Sequence, residues 1–226
     1  MYKDFRNIET PFYFYDTALL QATLDAIHSE IDAYPQFRVH YALKANVNPE
    51  ILRLIRNAGF GADCVSGGEI QTAIEAGFPA SSIVYAGVGK SDKEIILGLR
   101  NDIFCFNVES IPELEVINEL AVRENKIASI CLRVNPNIKA HTHTHIRTGV
   151  AENKFGIAFD EIMYVIKLAN TMSNITFKGL HFHIGSQITE MDDFISLCMC
   201  INRLLEMMDV EGIKAEIINV GGGLGV

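Results

Sequence analysis

Val39-His40-Tyr41-Ala42-Leu43-Lys44-Ala45-Asn46 is the stretch on which the reading of this chain turns. Its front half is apolar and aromatic, as in a buried strand, and it ends in one lysine shortly before Pro49. A lysine at the end of an apolar strand is costly to bury unless it is paired, neutralised or used covalently, and burial draws its pKa toward the reactive range. The plainer alternative is that Lys44 marks where the strand leaves the core and its ammonium reaches water. The segments on either side shift the balance toward a reactive lysine.

Upstream, the aromatic residues 10–16 read as a strand, and Leu20, Leu24, Ile27 and Ile31 recur at helical spacing over residues 17–33. Downstream, Pro49 opens a helix that Gly59 closes. Strands are then expected at 61–65, 83–86, 103–107, 128–134, 175–184 and 216–220. Helices are expected at 66–77, 92–99, 111–123, 160–169 and 192–208, with a long loop after residue 134. Setting the first aromatic strand aside, this makes about seven strand–helix alternations, the pattern of a parallel sheet with helices outside.

An open doubly wound sheet fits that alternation as well. A (β/α)8-type barrel is favoured because Lys44, Asp63, Asn107, Arg133, His183 and the glycines 221–223 all fall at the C-terminal ends of their strands. In a barrel, that rim is where active sites are built. An eighth unit would be needed to close the circle, so an incomplete barrel is expected.

With 226 residues, 49% of them hydrophobic, the chain can bury a sizeable core. A net charge of -9 and the lack of any Lys/Arg cluster argue against a nucleic-acid surface. No apolar run approaches the roughly 20 residues that span a membrane. The polar residues 1–10 do not resemble a signal peptide. The 5 cysteines form no C-x-x-C pair and mostly sit in apolar segments, which suits free thiols in a reduced, cytoplasmic setting.

Three further motifs carry chemistry. Gly221-Gly222-Gly223-Leu224-Gly225 follows an apolar strand, and consecutive glycines let N–H groups converge on an anion such as phosphate. The alternative is a flexible turn. In His181-Phe182-His183-Ile184-Gly185-Ser186-Gln187, strand alternation puts both histidines on one face. An imidazole to stack on a ring and Ser186 to hold a phosphate suit a flat aromatic ligand carrying a phosphate; a pair of hydrogen-bonded core histidines is the alternative. Asp63-Cys64-Val65-Ser66-Gly67-Gly68-Glu69 sets two carboxylates around a turn, where Ser66 and Glu69 also suit a helix cap. The alternating His141, His143 and His145 have no neighbouring carboxylate or cysteine to complete a metal site, so no metal is expected.

Taken together, these segments resemble the fold-type III pyridoxal-phosphate-dependent decarboxylases. The likeness runs the length of the chain. It is carried by the aromatic residues 10–16, Tyr41-Ala42-Leu43-Lys44-Ala45-Asn46, Asp63 to Glu69, Arg133-Val134-Asn135-Pro136, Lys154-Phe155-Gly156-Ile157, His183 to Gln187 and Asn219-Val220-Gly221-Gly222-Gly223. The resemblance implies that Lys44 holds pyridoxal 5'-phosphate as a Schiff base and that His183 stacks on its ring. It further implies that Ser186, Gly221, Gly222 and Gly223 bind its phosphate, with Asp63 and Arg133 close by. Gln187 and the loop from Thr148-Gly149 to Lys154-Phe155-Gly156 resemble the branch that converts meso-2,6-diaminopimelate to L-lysine and carbon dioxide.

The resemblance also implies a small-molecule amino-acid substrate and a homodimer in the full-length enzyme. Residues 1–16 would belong to a β domain and residues 17–226 to the cofactor-binding barrel. Family chains continue past this point with an acidic-Pro-Gly-Arg strand and that β domain. A chain ending at Val226 is therefore expected to be a truncated barrel, inactive on its own. Relatives acting on ornithine, arginine or carboxynorspermidine, and single-barrel proteins that only bind the cofactor, are the alternatives.

Overall fold

The computed structural model describes residues 5–136 and 155–225. Helix α1 (Thr17–Ile31) is capped by Asp16, whose carboxylate accepts the N–H groups of Ala18 at 3.0 Å and Leu19 at 3.1 Å. The alternation then begins: β1 (His40–Ala42), α2 (Pro49–Asn57), β2 (Gly61–Cys64), α3 (Gly67–Glu75), β3 (Ile83–Tyr85), α4 (Asp92–Arg100), β4 (Cys105–Val108) and α5 (Ile111–Arg123). After β5 (Ala128–Asn135) come the short β6 (Ile157–Ala158), α6 (Ile162–Thr171), β7 (Ile175–His181), α7 (Met191–Val210) and β8 (Ile217–Asn219).

Every strand pairing is parallel, and the strands lie side by side in the order β1-β2-β3-β4-β5-β7-β8, with β6 beside β5. This order decides between the two architectures left open above. A doubly wound sheet reverses direction at a switch point, whereas here each crossover steps the same way. Right-handed crossovers then put all the helices on one face. The fold is an incomplete (β/α)8-type barrel, as expected.

The wall between sheet and helices is the main core. It includes Leu52, Ile70, Ile83, Tyr85, Leu114, Ile130, Ile166, Leu180 and Leu204, all buried. The inner face holds a smaller apolar layer of Val84, Cys105 and Cys131, with Phe104 and Ile217 against it. Cys64, Cys105 and Cys131 are free thiols filling strand positions as small hydrophobes.

Serine caps fix the helix starts at the C-terminal rim. Ser66 accepts the Glu69 N–H at 3.2 Å, and Ser110 accepts that of Glu113 at 3.3 Å. Ser91 and Glu94 complete a reciprocal box at the start of α4. Glu94 also accepts the N–H of Gly67 at 2.7 Å, tying the start of α4 to the start of α3.

Two readings need correction. Residues 10–16 form no strand. Among the described residues no strand lies alongside to take up their backbone hydrogen bonds, and Tyr13 is 89% exposed. The segment is anchored by side chains instead: Asn46 donates through Nδ2 to the Tyr15 hydroxyl at 2.9 Å. The second is β6, which was not expected, because two residues are too short to leave a periodic signal.

Candidate active site at the barrel mouth

Lys44 stands in a single 3-10 turn, Leu43–Ala45, directly after β1. Leu43 is completely buried in the wall, so the next side chain is turned away from it. Lys44 is exposed, not buried as a reactive strand lysine was expected to be. The strand ends at Ala42, and the turn lifts the lysine clear of the core. Among the described residues its amine has neither a hydrogen bond nor an ion pair.

Asp63 lies beside Ala42 in the sheet, on the neighbouring strand β2. Burial raises its carboxyl to about 6, with the Lys44 and Arg133 charges opposing that rise and Glu69 adding to it. One carboxyl therefore feels Lys44, Glu69 and Arg133 together, which brings three separate sequence motifs to one mouth. Glu69 also serves as a cap, accepting the Val65 N–H at 2.8 Å.

Strand register carries the site inward. Asn107 pairs with Cys131, Arg133 with His181, and His181 with Asn219, so these side chains share the inner face of the sheet. Arg133 donates through Nη1 to Oε1 of Glu109 at 2.7 Å, an ion pair almost out of water. The ring of Phe155 lies 5.6 Å from the guanidinium carbon. Among the described residues, three buried polar atoms have no partner: Nδ2 of Asn107, Oε2 of Glu109 and Nδ1 of His181. Native interiors rarely leave such atoms unsatisfied except where a ligand or water completes them.

His181 and His183 part company. His181 is buried, and burial together with the Arg133 charge holds its imidazole well below its usual range, hence neutral. His183 is half-buried at the mouth, with Phe182 fully buried on the opposite face between them. The glycine run lies directly against this turn. Ile188 donates its N–H to the Gly223 carbonyl at 2.9 Å, and Gly225 donates to Ile188 at 2.8 Å.

A Cβ on Gly221 (φ 73°) would stand 3.1 Å from Nδ1 of His183 and clash with the Phe182 carbonyl. One on Gly223 (φ 95°) would overlap the carbonyl of Gly185. Gly222 faces open space and is exposed. Among the described residues the N–H groups of Gly222 and Gly223 have no hydrogen-bond partner, and Ser186 is half-buried beside them. This is a backbone cradle that needs glycine at 221 and 223, with the N–H groups of Gly222 and Gly223 suited to receive an anion.

Two features were missed from sequence. Glu109 is one; continued alternation from Asn107 would have placed it on the inner face. The other is Lys90, whose fully buried amine reaches Glu113 at 2.6 Å, the Asn107 carbonyl at 2.7 Å and the Gly87 carbonyl at 2.8 Å. Its three donors are spent, whereas the Lys44 amine has no hydrogen bond or ion pair among the described residues. The repeated Ser-x-x-Glu spacing at Ser91 and Ser110 was the signal for this network. His141, His143, His145, Thr148, Gly149 and Lys154 lie outside the described residues.

A family model described as "Pyridoxal-dependent decarboxylase, pyridoxal binding domain" matches residues 20–226. The chain belongs to the pyridoxal-dependent decarboxylases. Within that family it is 60% identical over 98% of its length to diaminopimelate decarboxylase of Bacteroides thetaiotaomicron, of which it covers 58%. It is 42% identical over 96% of its length to the Haemophilus influenzae diaminopimelate decarboxylase, covering 52% of that protein. Diaminopimelate decarboxylase from Helicobacter pylori, solved in complex with L-lysine, superposes with a TM-score of 0.88 at 38% identity. That match covers 98% of this chain and 56% of the other. The chain thus spans somewhat more than half the length of these relatives.

The cofactor of the family is pyridoxal phosphate, and the residues at the mouth fit it. Among the described residues, a lysine amine without a partner, a glycine cradle with unused N–H groups and unpartnered buried polar atoms beneath suit a phosphate-bearing aldehyde.

Proposed function

We infer that this chain forms the cofactor-binding part of a diaminopimelate decarboxylase, releasing carbon dioxide from meso-2,6-diaminopimelate to give L-lysine. The observation that carries this reading is the interlock of Gly221–Gly223 with the turn from His183 to Ser186, in a mouth that also holds the free Lys44 amine. The names of the relatives support the choice of substrate. A reduced cytoplasm accords with five unpaired thiols, and a homodimer with the family resemblance.

In this reading Lys44 would be the residue that holds the cofactor, through Nζ at its aldehyde carbon. The Gly222 and Gly223 N–H groups and the Ser186 hydroxyl take the phosphate. The His183 imidazole offers a flat face to the ring. Bound pyridoxal phosphate supplies the electron sink for the pair left on carbon when carbon dioxide departs. Asp63, balanced near 6 between burial and two cations, can hold or release a proton beside Lys44 at neutral pH. Arg133 sets the positive charge in the floor of the mouth.

The test has two parts. Borohydride reduction in the presence of pyridoxal phosphate, followed by peptide mapping, should mark Lys44, and a mark on Lys90 instead would sink the assignment. The protein that carries this chain should release carbon dioxide from meso-diaminopimelate in preference to ornithine or arginine. Equal or better turnover of either of those would reject the substrate.

A further inference from the structure

Glu109 is a buried carboxylate for which the mechanism above has no use. It is 6% exposed and follows directly on β4, where alternation from Asn107 turns it to the inner face. Oε1 accepts from Arg133, and Oε2 is buried without a partner among the described residues.

Its position is set from behind. The Glu109 N–H donates to Oε2 of Glu113 at 2.9 Å, and Oε1 of Glu113 accepts from the buried Lys90 at 2.6 Å. Lys90 in turn holds the carbonyls of Gly87 and Asn107. One ion pair therefore clamps the loops after β3 and β4 to the first turn of α5.

A purely stabilising role explains this poorly. Buried ion pairs gain little over apolar contacts, and an unpaired carboxylate oxygen is a further cost. The gain lies in direction. Among the described residues Arg133 engages Glu109 through Nη1 alone, while Phe155 covers the guanidinium. Among the described residues the other donors of Arg133 have no hydrogen-bond partner, and its charge is felt by Asp63 at the mouth.

We propose that Glu109 is a positioning residue that takes one arm of the Arg133 guanidinium and so aims its remaining donors into the mouth, the Lys90–Glu113 pair holding Glu109 in place. The proposal rests on the reading of the mouth as a pyridoxal-phosphate site.

The test titrates pyridoxal phosphate into the wild-type chain, Glu109→Gln, Glu109→Asp, Arg133→Met and the Glu109→Gln/Arg133→Met double variant. Visible absorbance gives the Kd, and visible circular dichroism reports how the bound cofactor is oriented. Glu109→Gln should weaken binding about ten-fold, the lower end for outer partners of a bound group, and should change the visible dichroism. Glu109→Asp should recover part of the loss, and the double variant should be no worse than Arg133→Met alone.

An unchanged Kd and dichroism in Glu109→Gln would overturn the proposal, as would losses that add in the double variant. So would a Glu109→Gln chain that unfolds, seen in the far-ultraviolet, while Arg133→Met stays folded. If the wild-type chain binds no cofactor, or carries it elsewhere than Lys44, the underlying reading fails first and this inference falls with it.

Discussion

Gly223 sits so close to Gly185 that a Cβ on Gly223 would overlap the carbonyl oxygen of Gly185, while the intervening strand bond runs from Ile188 to Gly223 at 2.9 Å. The last glycine of the run is thus pinned to the turn that carries His183 and Ser186. A Cβ on the glycine before it would meet nothing within 4 Å.

The two glycines should therefore respond differently to alanine. Gly223→Ala carries both the overlap and a left-handed backbone, and the backbone alone costs about 1–2 kcal/mol. Gly222→Ala should change stability by less than about 1 kcal/mol yet weaken binding of pyridoxal phosphate, because its methyl would enter the space proposed for the phosphate. Urea unfolding and cofactor titration on both variants check this. A Gly222→Ala chain with wild-type affinity would remove Gly222 from the cradle.

The two lysines make the opposite contrast. Lys90→Met leaves Glu113 in a poorly solvated site without its partner, and breaking such a pair costs about 3–5 kcal/mol. Lys44→Ala removes an exposed side chain and should shift stability by no more than about 0.5 kcal/mol while abolishing the borohydride-fixed adduct. Denaturant midpoints and peptide mass mapping separate the two. A severe loss of stability in Lys44→Ala would contradict the exposed placement.

Asp63 and Glu94 give pH signatures of opposite sign. The carboxyl of Asp63 is raised from 3.8 to about 6, chiefly by burial, so the folded state prefers it protonated. Its favourable contribution is complete below about pH 4 and is lost as pH rises through 6, a penalty of about 3 kcal/mol at neutral pH. Asp63→Asn should then be more stable than wild type at pH 7.5 and nearly equal at pH 4. Glu94 is lowered from 4.5 to about 2 by the N–H groups of Gly67 and Ser91. Its contribution is present above pH 4.5 and lost as pH falls through 2. Urea midpoints from pH 2 to 8 test both, and an Asp63→Asn curve parallel to wild type would refute the first.

Tyr15→Phe deletes the hydroxyl that receives Asn46 Nδ2 two residues beyond Lys44. An exposed neutral hydrogen bond of this kind is worth about 1 kcal/mol at most, so global stability should barely change. Proteolysis within residues 5–16 should quicken, since among the described residues no strand pairing holds that segment. Equal cleavage rates would show that the Phe5, Phe12 and Phe14 contacts anchor it instead.

What the sequence determined by itself is local. Strand–helix alternation, the Pro49 and Ser66 helix starts and the glycine run are written within a few residues of one another, and each appeared where expected. Their chemistry depends on backbone geometry and hydrogen bonds between near neighbours, which any reading of spacing can follow. Strand order, register and depth were decided only by the tertiary structure. Register placed Glu109 against Arg133, set His181 under the mouth while His183 stayed at its edge, and left Lys44 exposed one residue after the fully buried Leu43. Those outcomes depend on which strands become neighbours and on what a packed wall excludes. Among the described residues no strand lies beside residues 10–16, which stay unpaired despite their strand-like composition.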